Sequence, residues 1–258
     1  MSTTAALGFG SRWPLSYHVF DLNYPPWSVV VSSATYYWQV RAVNAAGVTY
    51  ADNSGSAYWS FTTSKPQTSL TFKSVGAYDG WVLESSELSN KGGSLNAAAT
   101  TFILGDDKTK KQYRDILSFN TASLPDKAVI TSVTLKLRKS AVVGGGDPVS
   151  IFNGFMVDIK KGFFGTAALL QVGDFQAAAS KTYGPFKPAP VSSWYSIDLT
   201  NAKDYINKLT TNSGLTQIRV RFKLDDNNNA VANYLTLFSG NAPAASNRPQ
   251  LIITYYVP

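Results

Sequence analysis

The chain has 258 residues, 44% hydrophobic and 15% charged, with a formal net charge of +7. That is enough apolar material for one large or two ordinary cores, and too little charge for a disordered chain. With no cysteine and a single histidine, His18, disulfides, thiolate or multi-histidine metal sites and a Cys nucleophile are excluded.

Val, Thr, Tyr, Phe and Trp are plentiful while Glu and Met are scarce, so strands are expected to dominate. No apolar run reaches the ~20 residues of a membrane-spanning helix. The opening "MSTTAALGFGSRWPLSYHVF" has no basic start followed by an apolar block, so no export signal is visible: either the protein stays inside, or the true start lies upstream. Lysines are scattered apart from one knot, Lys108, Lys110 and Lys111. A basic stripe with interleaved aromatics is missing, which argues against nucleic acid. The excess of lysine suits a soluble surface or contact with acidic polymers.

The first element in chain order is "YYWQVRAVN", which alternates with period two: Tyr36, Trp38, Val40 and Ala42 share one face. Turns in "AAG" and "ADNSG" lead to a second strand, "AYWSFTT". Before them lies "SRWPLSYHVFDLNYPPWSVVV", whose three prolines fit no central strand. "SKPQTS" at residues 64–69 reads as a linker. The phrase "TYYWQVRAVNAAG" with "SAYWSFTT" resembles the last two strands of a fibronectin type III domain, a sandwich of about seven strands. That resemblance covers about 30 residues, so residues 1–63 are expected to form a partial, truncated module of this type. A truncated or misread start, a remnant, and completion by strands of a partner chain each account for the missing half.

From residue 70 to 258 ten short apolar-alternating runs follow, from "SLTFKSV" to "QLIITYYV", separated by turn signals such as "GDDK", "LPDK", "VGGGDP" and "DDNNN". This punctuation predicts an all-β jelly-roll sandwich. "IFNGFM" is a hairpin candidate, if its Asn-Gly pair sits at the tip. In "SLPDKAVITSVTLKL" the residues Val129, Thr131, Val133, Leu135 and Leu137 are expected to face inward. One short helix is predicted in "TNAKDYINKLTTNSG", with Ala202, Tyr205, Ile206 and Leu209 on one face, a cap at Thr200 or Asn201, and Gly214 at its end.

"YRDILSFNTASLPDKAVITSVTLKLRKS", "SSWYSIDLTNAKDYIN" and "SNRPQLIITYYV" follow one another in the order found in DNRLRE-type domains, extracellular modules related to carbohydrate-binding sandwiches. The chain resembles that family over roughly residues 75 to 256, with Asn120 where the family has Asp. The resemblance implies an extracellular or cell-surface module. Arg114 reads as an ion pair or carbonyl clamp, Asp198 as a brace for the helix start, and Arg248 as part of a turn.

Catalytic constellations are sparse. Nothing around His18 forms a Ser-His-Asp nucleophile elbow. Paired glycosidase carboxylates need a spacing of ~5 to ~10 Å; the candidates Asp79, Glu84 and Glu87 share one loop-rich stretch and read as solvated or metal-linked. Gly144-Gly145-Gly146 lacks the Lys-Ser/Thr of a phosphate cradle. For calcium, Asp225, Asn227 and Asn229 place oxygens at every second position, but Ala230 and Thr236 stand where an EF-hand has Gly and Glu. The alternative is a polar hairpin tip. Sugar recognition uses aromatic faces with amides and acids around them. The candidates are Trp81, Tyr113, Tyr183 and Phe186, the last two in "KTYGPFKPAP", read as an exposed loop; Trp194 reads as core. The function these features point to is non-catalytic binding of polysaccharide or cell-wall glycan. Its rival is a structural subunit of a filament or surface layer, contacting copies of itself by strand complementation.

Overall fold

Period-two alternation settles most of the architecture. In the computed structural model, which describes residues 31–51 and 53–258, the chain divides into two units, Met1–Pro66 and Gln67–Pro258. His18 and the proline-rich stretch before Val31 lie outside the described residues.

The first unit carries β1 (Thr35–Trp38), β2 (Arg41–Asn44), β3 (Gly47–Tyr50) and β4 (Trp59–Thr62). β1 pairs with β4 and β2 with β3, both antiparallel. "YYWQVRAVN" is therefore two strands rather than one. The break falls at Gln39, whose side-chain amide donates to the carbonyls of Ser54 (3.0 Å) and Ala57 (2.8 Å), while Val40 accepts from the Ala51 amide (2.9 Å). Tyr36 stacks on Phe61 (5.5 Å) and Trp38 meets Trp59 (4.6 Å), so one face of the β1–β4 pair is aromatic.

The second unit contains β5 (Thr68–Lys73), β6 (Gly80–Glu84), β7 (Gly92–Asn96), β8 (Thr101–Asp106), β9 (Gln112–Asn120), β10 (Val129–Val143), α1 (Pro148–Ile151), β11 (Phe155–Lys161), β12 (Lys181–Phe186), β13 (Trp194–Asp198), β14 (Leu215–Phe222), β15 (Asn233–Phe238) and β16 (Gln250–Tyr256). β5 starts inside the stretch expected as linker, because Thr68 and Ser69 already pair with Tyr255 and Thr254.

The strands form one large antiparallel sheet in the order β12-β11-β14-β9-β8-β15-β10-β16-β5, with β6 and β7 added beside β9 and β13 beside β10. β8 and β9 pair only at Gly105–Tyr113 and Asp106–Gln112. Beyond those pairs the sheet opens and curls over itself, making an all-β sandwich. One core fills it. Leu117, Phe119, Val157, Ile218 and Val220 come from one half, and Phe102, Leu135, Leu137, Leu235, Leu251 and Ile253 from the other.

Residues 162–180 lie over the outer face of the β6–β9–β14–β11 half. A second apolar cluster, Val82, Ile116, Phe164, Leu170 and Phe175, fills the space beneath them. β11 and β14 are in consequence buried on both faces, while β15 and β16 alternate buried and half-buried.

Three sequence expectations change. A β-bulge between Ile130 and Ser132 shifts the phase of β10. Ile130 then points inward and Val129 outward, while Val133, Leu135 and Leu137 remain fully buried. Asn153-Gly154 is not a hairpin tip. It ends α1 with positive φ at both residues, the Gly154 amide reaching back to the Val149 carbonyl at 2.7 Å. The predicted helix is a tighter 3-10 turn, Thr200–Tyr205. Ala202 and Ile206 enter the core, but Leu209 is exposed and Gly214 belongs to a separate turn. Among the described residues, no helix is long and apolar enough to cross a membrane.

Candidate functional site: an aromatic row at the sheet corner

Where β8 and β9 part, three half-buried rings line up across neighbouring strands. Tyr113 on β9 lies between Trp81 on β6 (5.3 Å, planes at 84°) and Tyr234 on β15 (6.3 Å, 63°). Strand register explains the row. Tyr113 is opposite Leu83 on one side and Gly105 on the other, and Gly105 is opposite Tyr234. Gly105 has φ +131, and a Cβ there would collide with the Asn233 carbonyl. Its missing side chain lets the two tyrosines approach over the intervening strand.

Three loops frame the rings. In residues 107–111 the Asp107 carboxylate accepts from the amides of Thr109 (2.7 Å) and Lys111 (3.0 Å) and from the Thr109 hydroxyl (2.6 Å). Partial burial raises its pKa, but these hydrogen bonds and Lys111 outweigh that and hold it below its ordinary value. Lys110 ties this loop to the other two, with Nζ 3.6 Å from Glu87 Oε1 and 2.6 Å from Asn228 Oδ1. Burial, then Asp107 and Tyr234, raise the pKa of the Tyr113 phenol, so it remains a neutral hydroxyl.

Asn227 and Asn229 are brought together, but by their nitrogens. Both Nδ2 atoms donate to Asn233 Oδ1, at 2.6 and 2.7 Å. Their oxygens accept from the amides of Asn229 (3.2 Å) and Val231 (2.8 Å). Asp225 stands apart, accepting from Asp226. Oxygens turned onto their own loop in this way are the pattern of a polar hairpin tip. Among the described residues, no three His, Asp or Glu side chains are grouped to hold a metal ion.

Tyr183 and Phe186 lie on strand β12, not in a loop, and pack their rings against the main core. The Tyr183 hydroxyl donates to the Asn201 carbonyl at 2.8 Å. Trp194 is half-buried rather than core; the inward residue of that strand is Tyr195. Tyr234 is a member of the row that sequence reasoning missed. The alternation of "NYLTLF", with Leu235 and Leu237 inward, was the signal that could have turned it outward.

The chain's carboxylates are mostly structural. Arg114 is a carbonyl clamp: it donates to Phe175 O (2.6 Å), Gln112 Oε1 (2.7 Å) and Asn90 Oδ1 (2.8 Å) and lies 3.8 Å over the Phe175 ring. Glu84 is buried, not solvated, and accepts from the amides of Asn90 and Gln112. Asp158 holds Arg219 through Nε (2.8 Å) and Nη2 (2.7 Å), and Arg219 also caps the carbonyls of Asp174 and Ala177. Asp79 and Asp115, both fully buried, bridge the opening between the two halves of the sheet. Asp79 accepts from the amides of Ser118 (2.8 Å) and Gly240 (3.0 Å), and Asp115 from that of Ile103 (3.2 Å). Burial, partly offset by those hydrogen bonds, raises Asp79 to about 7. Burial and the neighbouring Asp79 push Asp115 well up.

A scan against protein-family models finds no match to the chain, and a search of curated proteins finds no match either.

Proposed function

We propose that this chain is a non-catalytic binding module for polysaccharide or cell-wall glycan, and that Trp81, Tyr113 and Tyr234 form its sugar-stacking face. The observation that carries this reading is the contiguous row of half-exposed rings, set at the meeting point of three polar loops. Aromatic faces take the apolar side of a pyranose, while lysine, amide and carboxylate groups at the edge take its hydroxyls. Catalysis finds less support, because the two carboxylates with strongly raised pKa values, Asp79 and Asp115, are sealed between the sheets. The DNRLRE-type resemblance, with its jelly-roll and cell-surface setting, belongs to the same proposal.

Affinity electrophoresis through gels containing xylan, mannan, glucan or soluble peptidoglycan tests it. Retardation by one of them is expected, weakened about five- to tenfold by Tyr113→Ala or Tyr234→Ala. Unretarded migration in every gel overturns the reading.

One observation favours the structural rival. Among the described residues the fibronectin-like unit has only two-stranded sheets, and β4 is exposed along its whole length. Two-stranded sheets are marginal alone and invite strand addition. Polymers seen by electron microscopy of the purified chain would support that assembly.

A further inference from the structure

A second surface, separate from the aromatic row, points to a particular class of polymer. It is the outer face of β13, β10, β16 and β5. Their inward residues Leu135, Leu137, Tyr195, Ile197, Leu251 and Ile253 are all buried, so alternation turns Lys136, Arg138, Trp194, Ser196 and Gln250 outward. Register sets them in rows. Arg138 is opposite Trp194, and Ser196, Lys136, Gln250 and Lys73 follow one another across four strands. Lys136 and Lys73 are two strands apart, roughly 10 Å.

The cations on this face have no acidic partner. The ion pairs of the described residues join Lys110 to Glu87, Lys111 to Asp107, and Arg219 and Arg221 to Asp158. None involves Lys73, Lys136 or Arg138. The four strands contain one carboxylate, Asp198, which is turned to the Thr200 amide at 2.8 Å. Trp194 organises the patch: Lys136 Nζ lies 5.3 Å and the Arg138 guanidinium 5.8 Å from its ring centroid. Arg138 is further fixed by donating to Asn247 Oδ1. Around the charges the same face offers Ser196, Gln250, Thr71 and Thr134, all hydrogen-bonding side chains.

We propose that this face binds an acidic polysaccharide, whose carboxylates meet Lys73, Lys136 and Arg138 while its hydroxyls meet the Ser, Thr and Gln side chains. Charge complementarity selects an anionic polymer. The face carries two half-buried aromatic rings at its opposite ends, Trp194 and Tyr256, rather than a continuous series of stacking platforms, which suits a sugar chain over single-stranded nucleic acid.

The test is retardation in gels containing polygalacturonate, with dextran and single-stranded DNA as comparison polymers. Wild-type protein is expected to be retarded by polygalacturonate, less so as salt rises, and Tyr113→Ala, in which the aromatic row is disabled, is expected to be retarded by polygalacturonate and not by dextran. The double variant Lys136→Gln/Arg138→Gln is expected to bind about tenfold more weakly at an unchanged melting temperature. Tyr113→Ala is expected to leave this binding intact, which separates the surface from the aromatic row. If the double variant does not fold, Lys73→Glu on the edge strand decides, with an expected loss of about threefold. Undiminished retardation of the folded variant, equal retardation of Tyr113→Ala by dextran, or tighter binding of DNA would overturn the proposal.

Discussion

The two halves of the curled sheet obey the same alternation and meet opposite fates. In the β6–β9–β14–β11 half, residues 162–180 cover the outer face, and the charges there are buried in a network of Arg219, Asp158 and backbone carbonyls. In the β13–β10–β16–β5 half the outer face is open, and Lys73, Lys136 and Arg138 lie on it without acidic partners. Charge in the covered half is a structural element, because a buried ion costs several kcal/mol unless it is paired. Charge in the open half costs the fold almost nothing and is available to a ligand.

The sharpest way to break this contrast is to remove one charge from each half. Arg219→Met leaves Asp158 buried with only Thr182 and the more distant Arg221 at 3.6 Å. The expected loss is about 3–5 kcal/mol, read as a lower urea midpoint. Lys136→Gln on the open face is expected to change stability by less than ~0.5 kcal/mol. Equal losses at the two positions would erase the distinction.

The next effect is pH dependence, and it separates the seam between the halves from the covered network. Asp79, raised by burial to about 7 from an ordinary 3.8, holds a proton in the folded protein that the unfolded chain gives up. The stability present below about pH 4 is therefore lost progressively as pH rises through 7, and Asp115 acts in the same direction. Asp158 has the opposite sign. Its burial would raise it, but Arg219, Thr182 and Arg221 hold it below its ordinary value. Its contribution is present above the ordinary carboxylate range and is lost as pH falls. Maximum stability is expected at mildly acidic pH, with a fall on the order of 2–3 kcal/mol between pH 5 and 8. Urea midpoints at pH 3, 5 and 8 measure it. Asp79→Asn should make the limb between 5 and 8 shallower, leaving the part that Asp115 carries, whatever it does to the midpoint itself. A wild-type midpoint that climbs from pH 5 to 8 would contradict the assignment.

The open half was the more legible in the sequence. "QLIITYYV" and "VITSVTLKL" alternate because one face meets the core and the other meets water, so strand and facing can be read together. The exception was the first turn of β10, where the bulge at Ile130/Ser132 inverted Val129, a feature alternation cannot announce. The covered half hid more. Glu84 and Asp79 read as loop carboxylates in the sequence, because nothing local says that Asn90 and Gln112 will enclose the one, or Ser118 and Gly240 the other. The aromatic row was half visible. Trp81 and Tyr113 stood out as residue types, but Tyr234 joins them only through the β8–β9 register and the gap left by Gly105. "KTYGPFKPAP" misled for the reverse reason: Pro and Gly signal a loop, yet β12 is an edge strand, where proline is tolerated.

The smallest expected effect gives a test with two signs in one residue. Asp198 ends β13 and accepts from the Thr200 amide at 2.8 Å, starting the turn that carries Ala202 and Ile206 into the core. Asp198→Ala removes that acceptor at a cost of about 1 kcal/mol, or a melting temperature ~2–4 °C lower. The same change deletes the one carboxylate carried by the four strands of the open face. Retardation by polygalacturonate should therefore strengthen as the protein melts earlier. Asp198→Ser keeps an acceptor without the charge, and is expected to restore most of the melting temperature while retaining the tighter binding. If binding weakens together with stability in Asp198→Ala and recovers in Asp198→Ser, the open face acts through its shape rather than its charge, and its contrast with the covered half no longer rests on electrostatics.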